Sequence, residues 1–425
     1  MCVPTDHRRP SSGVVVSHPQ DLSDKSFYSL RSLCLAVLCE RLAAFVLIAT
    51  AVQMFSVRLG FPPSDSLRLY GLFSAACYFG SIPGGYLLDR AAHKSRGLAV
   101  SLLLLLLGYV ALSLPYRASA LLGLTLLVLG HAIYKPSTQR TLAAIIPPND
   151  SQLESAQVLL HFAINLGAAA GSFLAGISVR FAGWSIAYAG AALAVGVGIT
   201  FLNTSAPNES ATTLQSKATI PRDDTVPNNR SLATIGSLTL AMFLFALVTA
   251  QIEGALLLWA DKHTDRFLLG LEIPVAWLIT FAAILVLLFS PLQILLLPRL
   301  KRAVRTNRLV ACGLICCALC FMVLLPSAKT MGRTSIVWPL PSIVCFVLAE
   351  MLIAPLGLAL LHRSTPKPFL GLVTGIWYGA GALGFFVGGE VGTLWFAWPI
   401  QRVLLLLTLL PLAGATVLWF PRQRH

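Results

Sequence analysis

Charge is scarce in this chain. Asp, Glu, Lys and Arg make up 11% of its 425 residues, where soluble globular proteins carry about a quarter. Acids are scarcer still, 17 against 31 Lys and Arg. Hydrophobic residues account for 56% and mean hydropathy is +0.77. No soluble core of this length hides so much apolar surface, so a soluble fold is excluded. Polar stretches are few as well: residues 204–231, rich in Ser, Thr, Asn and Pro, form the longest interior one and read as a flexible linker. The chain shows no metal-ligand cluster, no His-x4-Asp pair and no nucleophile beside a base. Nothing therefore points to an enzyme, a metal or a cofactor. Residues 1–30 carry charge without an apolar core or a small-residue cleavage site; no signal peptide is expected and the segment reads as a tail.

What the chain has is long apolar runs. Spanning a bilayer takes roughly 20 apolar residues per helix, and twelve runs qualify: 33–57, 69–90, 97–115, 119–146, 154–178, 182–203, 232–260, 274–298, 307–327, 334–361, 368–395 and 399–420. The expected fold is an all-α polytopic membrane protein with a tail at 1–32, a six-helix bundle at 33–203, the linker at 204–231, a second six-helix bundle at 232–420 and a tail at 421–425. Two six-span halves joined by a long loop predict a secondary transporter in which each half holds two inverted three-helix repeats.

Net charge is +14, and its placement argues against a nucleic-acid partner. Nineteen cations fall on the tails and loops that share a side with the N-terminus, from Arg8 to Arg424, and nine fall on the other side. That bias predicts both termini in the cytoplasm of a multi-pass plasma membrane protein, with a bacterial inner membrane as the expected host. Attraction to the lipid bilayer's anionic headgroups is secondary. Eight of the nine cysteines lie within spans, and Cys312, Cys316, Cys317 and Cys320 crowd one helix as reduced packing residues.

Charges inside the apolar runs carry the functional signal. Glu40 and Arg41 sit side by side in the first run, Lys135 in the fourth, Glu253 in the seventh and Glu350 in the tenth. Each costs about 2.5–3.5 kcal/mol on insertion scales, a cost mostly met where charges face a hydrated cavity. First, fourth, seventh and tenth are the helices that repeat symmetry makes equivalent and central. Glu390 falls outside this set and is expected as a wet helix-end residue. His131 and His161, single histidines in apolar helices, are expected to be satisfied core residues.

The loop after the second run reads GGYLLDRAAHKSR. Its Gly85, Asp89, Arg90, Lys94 and Arg96 resemble the motif between helices 2 and 3 of the major facilitator superfamily, with Ala92 where that motif has Gly; Asp89 and Arg90 are candidate gate residues. Further segments, in collinear order, resemble the proton-dependent oligopeptide transporter family. They are LCERL at 38–42, RLYGLFSAACYFGSIPGGYLLDR at 68–90, GHAIYKPS at 130–137, FAINLGA at 162–168, GWSIAYAG at 183–190, WADKHTDR at 259–266, AEMLIAPLGLAL at 349–360 and GIWYGAGALG at 375–384. The resemblance spans nearly the whole membrane region. It implies a major facilitator fold and proton-coupled symport of di- and tripeptides, with the proton gradient as the energy source and a functional monomer. Site residues implied are Arg41, Tyr78, Lys135, Asn165, Glu350 and Trp377 for substrate, and Glu40, Arg41 and Lys135 for proton coupling.

This chain also departs from the family. The first glutamate of the helix 1 motif is Val37, the tyrosine pair after it is Ala44-Phe45, the helix 7 glutamate aligns with Ala250, the helix 8 asparagine with Ala282 and an outer arginine with Ile48. Glu253, three residues beyond Ala250, can share its helical face and is a candidate gate residue. Either the coupling is rewired or the substrate is another small amphoteric or anionic solute; a non-coupled facilitator and a non-transporting receptor also stay open. A dipeptide zwitterion calls for an acid and a base across a cavity: Glu350 for its ammonium, Arg41 and Lys135 for its carboxylate.

Overall fold

The computed structural model describes residues 24–90, 96–146, 153–203, 229–268, 270–327, 333–366 and 369–419. Residues 1–23 and 420–425, most of the linker and the loop holding Lys94 lie outside them. Helices dominate, and twelve long ones match the twelve predicted runs. In the first half these are α1 (Asp24–Ile48), α2 (Pro63–Arg90), α3 (Gly97–Ser113), α4 (Arg117–Ile145), α5 (Leu153–Phe181) and α6 (Gly183–Asn203). In the second they are α7 (Asn229–Ala250), α8 (Trp277–Ala303), α9 (Thr306–Met322), α10 (Pro339–Ser364), α11 (Leu370–Ala397) and α12 (Ile400–Trp419). The shortest, α3 and α9, have 17 residues. At 1.5 Å per residue that is about 26 Å, close to the hydrocarbon thickness.

Two spans depart from regular winding. α1 starts at Asp24, before the predicted edge at 33, and runs on through Ala51–Gln53 into a π-turn at Met54–Arg58, bent by 45°. Thr50 explains the bend. Its hydroxyl bonds back to the Val46 carbonyl at 2.6 Å and meets the Tyr188 hydroxyl at 3.0 Å, the kind of back-bonding that bends helices. α7 continues through a π-turn at Gln251–Ala255 into Leu256–His263.

Proline inside helices acts with glycine opposite. Pro136 has no N–H, which frees the Ala132 carbonyl one turn back, and Gly84 of α2 lies against that oxygen. Strands were not expected. Among the described residues four two-residue ones tie together the loops at one end of the second half: β1 (Thr264–Asp265) pairs parallel with β4 (Thr334–Ser335), and β2 (Phe267–Leu268) antiparallel with β3 (Leu271–Glu272).

With six spans in each half, both described chain ends and the helix ends at Asn203 and Asn229 share one face. The halves meet along α2–α11 and α5–α8, and the contacts gather toward the opposite face. There Arg68 Nε reaches Glu390 Oε2 at 3.0 Å, so the wet helix-end residue is also an inter-half ion pair. Ser172 and Thr280 hydroxyls meet at 2.9 Å, Phe173 stacks on Trp277 at 5.1 Å, and Arg180 engages both the carboxylate and the carbonyl of Glu272. Nearer the terminal face, a Cβ added at Gly371, Gly375 or Gly379 of α11 would meet nothing within 4 Å. The halves are closed together at one face, while these α11 glycines border open space toward the other.

Glycine makes the seal close. A Cβ on Gly71 would stand 2.7 Å from the Gly389 Cα and 2.8 Å from the Phe385 carbonyl, so α2 and α11 touch backbone to backbone. Gly389→Leu is therefore expected to part these helices. The readout is modification of Cys77, a cavity residue, by a membrane-impermeant thiol reagent applied at the sealed face and located by mass spectrometry. Modification should rise at least about tenfold over the parent protein; an unchanged rate would show that the glycine contact does not hold the seal.

Candidate functional site

Between the halves lies a cavity of about 250 Å³. α1 contributes Arg41, Ala44 and Phe45; α2 contributes Tyr70, Ser74, Cys77 and Tyr78; α4 contributes His131 and Lys135; α5 contributes Asn165. The second half supplies Met242, Phe245 and Thr249 from α7, Glu253 from its π-turn, Ala282 from α8, Phe346 and Glu350 from α10 and Phe385 from α11. Cations thus come from one half and acids from the other.

Glu40 lies behind this wall, 1% exposed. Arg41 folds back onto it in a fork, with Nε and Nη2 each 2.6 Å from a carboxylate oxygen. Neighbours in sequence point about 100° apart on a helix, so the pair forms only because the long arginine side chain curls round. Its guanidinium also sits 5.6 Å from the Tyr134 ring. A bidentate pair of this kind is a strong, directional contact, and it holds Arg41 while Glu40 is ionised.

Lys135 has no acid partner among the described residues; its Nζ rests 3.8 Å from the centre of the Tyr78 ring. Tyr78 in turn packs on Phe385 of the other half, 5.1 Å between centroids. One aromatic ring therefore links the lysine to α11, through a cation–π contact with Lys135 and a ring contact with Phe385. Glu350 faces the void with no hydrogen bond or ion pair among the described residues. Asn165 donates to the His161 carbonyl at 2.9 Å and meets its Nε2 at 3.2 Å.

Glu253 shows why its neighbour Ala250 is not the cavity acid. Ala250 is buried against Gly388, and the π-turn places Glu253 on the wall, where it accepts the Tyr70 hydroxyl at 2.6 Å. Gln251 anchors the turn, donating to the Gly388 carbonyl at 2.7 Å and accepting from the Trp395 indole at 3.0 Å. π-turns recur at functional sites because the extra residue re-aims a side chain. The Tyr70–Glu253 bond crosses between halves on the sealed side of the cavity.

Three expectations need correction or restriction. Trp377, named as a substrate contact, does not line the cavity: it is 2% exposed and fills the space beside Gly357, where a Cβ would meet its ring. His131 is no satisfied core residue, since its Nδ1 is buried without a hydrogen bond. Of the candidate gate pair, the Asp89 side chain lies outside the described residues, and the Arg90 guanidinium sits 4.3 Å from the Tyr86 ring. Tyr70, Ser74 and Cys77 went unnamed as cavity residues although the pattern held a signal: with Tyr78 they recur at i, i+4, i+7 and i+8, one face of α2.

A model described as Major Facilitator Superfamily matches residues 33–389. The chain belongs to that superfamily. Among relatives of this facilitator is the peptide transporter YePEPT of Yersinia enterocolitica, 23% identical, the match covering 91% of this chain and 88% of the relative. Another is dipeptide and tripeptide permease A of Escherichia coli, 22% identical over 86% and 84%. Solved structures show the same fold. A peptide transporter in complex with sulfate superposes at a TM-score of 0.82 and 19% identity, covering 92% of this chain and 93% of that one. A transporter of the same family with 5-aminolevulinic acid gives 0.82 and 16%, covering 92% and 95%. The facilitator is a multi-pass membrane transporter whose central cavity lies where the two halves meet.

Proposed function

We propose that this facilitator is a proton-coupled symporter of di- and tripeptides that works by alternating access. It acts as a monomer in a bacterial inner membrane with both ends cytoplasmic, driven by the proton gradient and needing no cofactor. The observation that carries the reading is the division of charge across one void. Arg41 and Lys135 stand on the first half, Glu350 and Glu253 on the second. A zwitterion with a carboxylate at one end and an ammonium at the other bridges them and draws the halves together.

Coupling follows from the Glu40–Arg41 fork. While Glu40 is ionised it occupies the Nε–Nη2 edge of Arg41, two donors that would otherwise grip a carboxylate. A proton on Glu40 removes that claim and frees Arg41 for substrate. Proton and peptide then travel together because one makes the other's site.

The deciding experiment is uptake of labelled dialanine into proteoliposomes. Accumulation above equilibrium is expected with an inward proton gradient, and equilibration alone without one. Absence of saturable uptake in both conditions would refute a peptide carrier.

A second reading keeps the coupling and changes the cargo. Ala44, Phe45 and Ala282 line the cavity where the resembling family has tyrosines and an asparagine, leaving fewer hydrogen-bonding groups for a peptide bond. A δ-amino acid offers the same two charges without the amide. Its competition with dialanine uptake measures how far this wall has relaxed selectivity.

A further inference from the structure

Glu40 has no surface on the cavity, yet the coupling argued above needs a proton to reach it. His131 stands between the two. Its ring lines the cavity. Its Nδ1 is 3.6 Å from Glu40 Oε1 and has no hydrogen bond. The gap lies just beyond bonding range, so a swing of about half an ångström closes it. That leaves Nε2 to meet cavity water. An unbonded imidazole nitrogen buried here costs about 1–3 kcal/mol, and this one faces a carboxylate oxygen across the gap.

We propose that His131 is the proton relay between the cavity and Glu40. The inference rests on proton coupling through Glu40 and extends it by one residue. The neutral ring starts with its hydrogen on Nδ1. Nε2 takes a proton from hydronium in the cavity water, leaving a water molecule, and the imidazolium then gives its Nδ1 proton to Glu40 Oε1. One proton has left the water and one has reached the carboxylate, so the ring ends neutral in the other tautomer. The reverse sequence discharges Glu40 and restores the first tautomer. Glu40, once neutral, no longer holds Arg41.

The surroundings suit transfer rather than storage of charge. Arg41 of α1 and Lys135, one turn along α4, both oppose a lasting positive charge on the ring, while Glu40 favours it only briefly, before taking the proton itself. Tyr109 of α3 and Cys77 of α2 share the cavity wall, and Tyr134 meets the ring edge-on at 6.4 Å. These last three are neutral groups.

The test follows Glu40 directly, without substrate. After a rapid pH drop on the full chain in proteoliposomes, time-resolved infrared spectroscopy records growth of the protonated-carboxyl band, assigned to Glu40 by its loss in Glu40→Gln. His131→Gln is expected to slow that growth by at least about tenfold, the low end for general acid–base transfer being a hundredfold. His131→Ala should be equally slow and should recover when free imidazole is added to the buffer, which a purely structural histidine would not allow. Growth at the parent rate in both variants would overturn the relay, as would slow growth that imidazole leaves untouched. If the parent protein fails to carry dialanine while imidazole still rescues Glu40 protonation, the peptide reading falls and the relay stands.

Discussion

Glu40→Gln is expected to abolish gradient-driven accumulation of dialanine while leaving counterflow exchange partly intact. An inward gradient of one pH unit is worth about 1.4 kcal/mol per proton, hence about tenfold accumulation for one-to-one coupling. Gln cannot carry that proton, so the ratio should fall to unity. Exchange should survive in part because an amide oxygen accepts from Arg41 more weakly than the carboxylate whose two oxygens now lie 2.6 Å from it, which leaves Arg41 available to substrate. Loss of both activities to the same degree, at normal membrane expression, would refute this division of labour. The confounding effect to control is structural, since removing one member of a buried ion pair strands the other at a cost of about 3–5 kcal/mol. Gln keeps the shape and a bonding oxygen, which is why it is preferred to Ala.

Lys135→Ala and Glu350→Gln should each raise the KM for dialanine about ten- to hundredfold. A hydrogen bond to a charged group contributes about 1.5–3 kcal/mol, and each 1.4 kcal/mol is a factor of ten. Both residues suit such a role because neither is committed elsewhere: Lys135 rests only on the Tyr78 ring, and Glu350 has no bonded partner among the described residues. Modified substrates separate the two ends. N-acetyl-dialanine lacks the ammonium, so Glu350→Gln should leave its already weak inhibition of transport unchanged. Dialanine amide lacks the carboxylate, so Lys135→Ala should do the same for it. A Lys135 variant with parent kinetics for dialanine would remove that residue from the site.

Much of this was readable from sequence for one physical reason. In a bilayer an ionisable side chain is costly enough to stand out, so Arg41, Lys135, Glu253 and Glu350 announced a cavity before any coordinate did, and helix order placed them together. Side chains that are cheap to bury gave no comparable signal. Trp377 lies in a stretch similar to the oligopeptide transporters, yet its indole packs beside Gly357 because that glycine leaves a hollow the ring fills. His131 looked like a packing residue because sequence shows neither the 3.6 Å approach to Glu40 nor the missing bond at Nδ1. Irregular winding was hidden too. Nothing in QIEGA marks a π-turn, and the three-residue offset between Ala250 and Glu253 becomes intelligible only once that turn is seen.

The seal was the least legible part. Arg68–Glu390 and Arg180–Glu272 join residues far apart in the chain, and charges at helix ends read individually as solvated. Ile48 and Ala250 suggested that the family's outer contacts had been lost. Other pairs, with backbone contact between Gly71 and Gly389, occupy that face instead.

The wide turn in α7 also sets a phase. A regular helix advances 100° per residue, so the residue absorbed at Gln251–Ala255 fixes how the stretch before it is rotated against the stretch after. Delete one position there and either Leu256–His263 swivels away from its packing, or Met242, Phe245 and Thr249 leave the cavity wall. A loop shrugs off such an indel; this span has no slack to do so. Its exact length is part of the binding site, as much as any side chain on it.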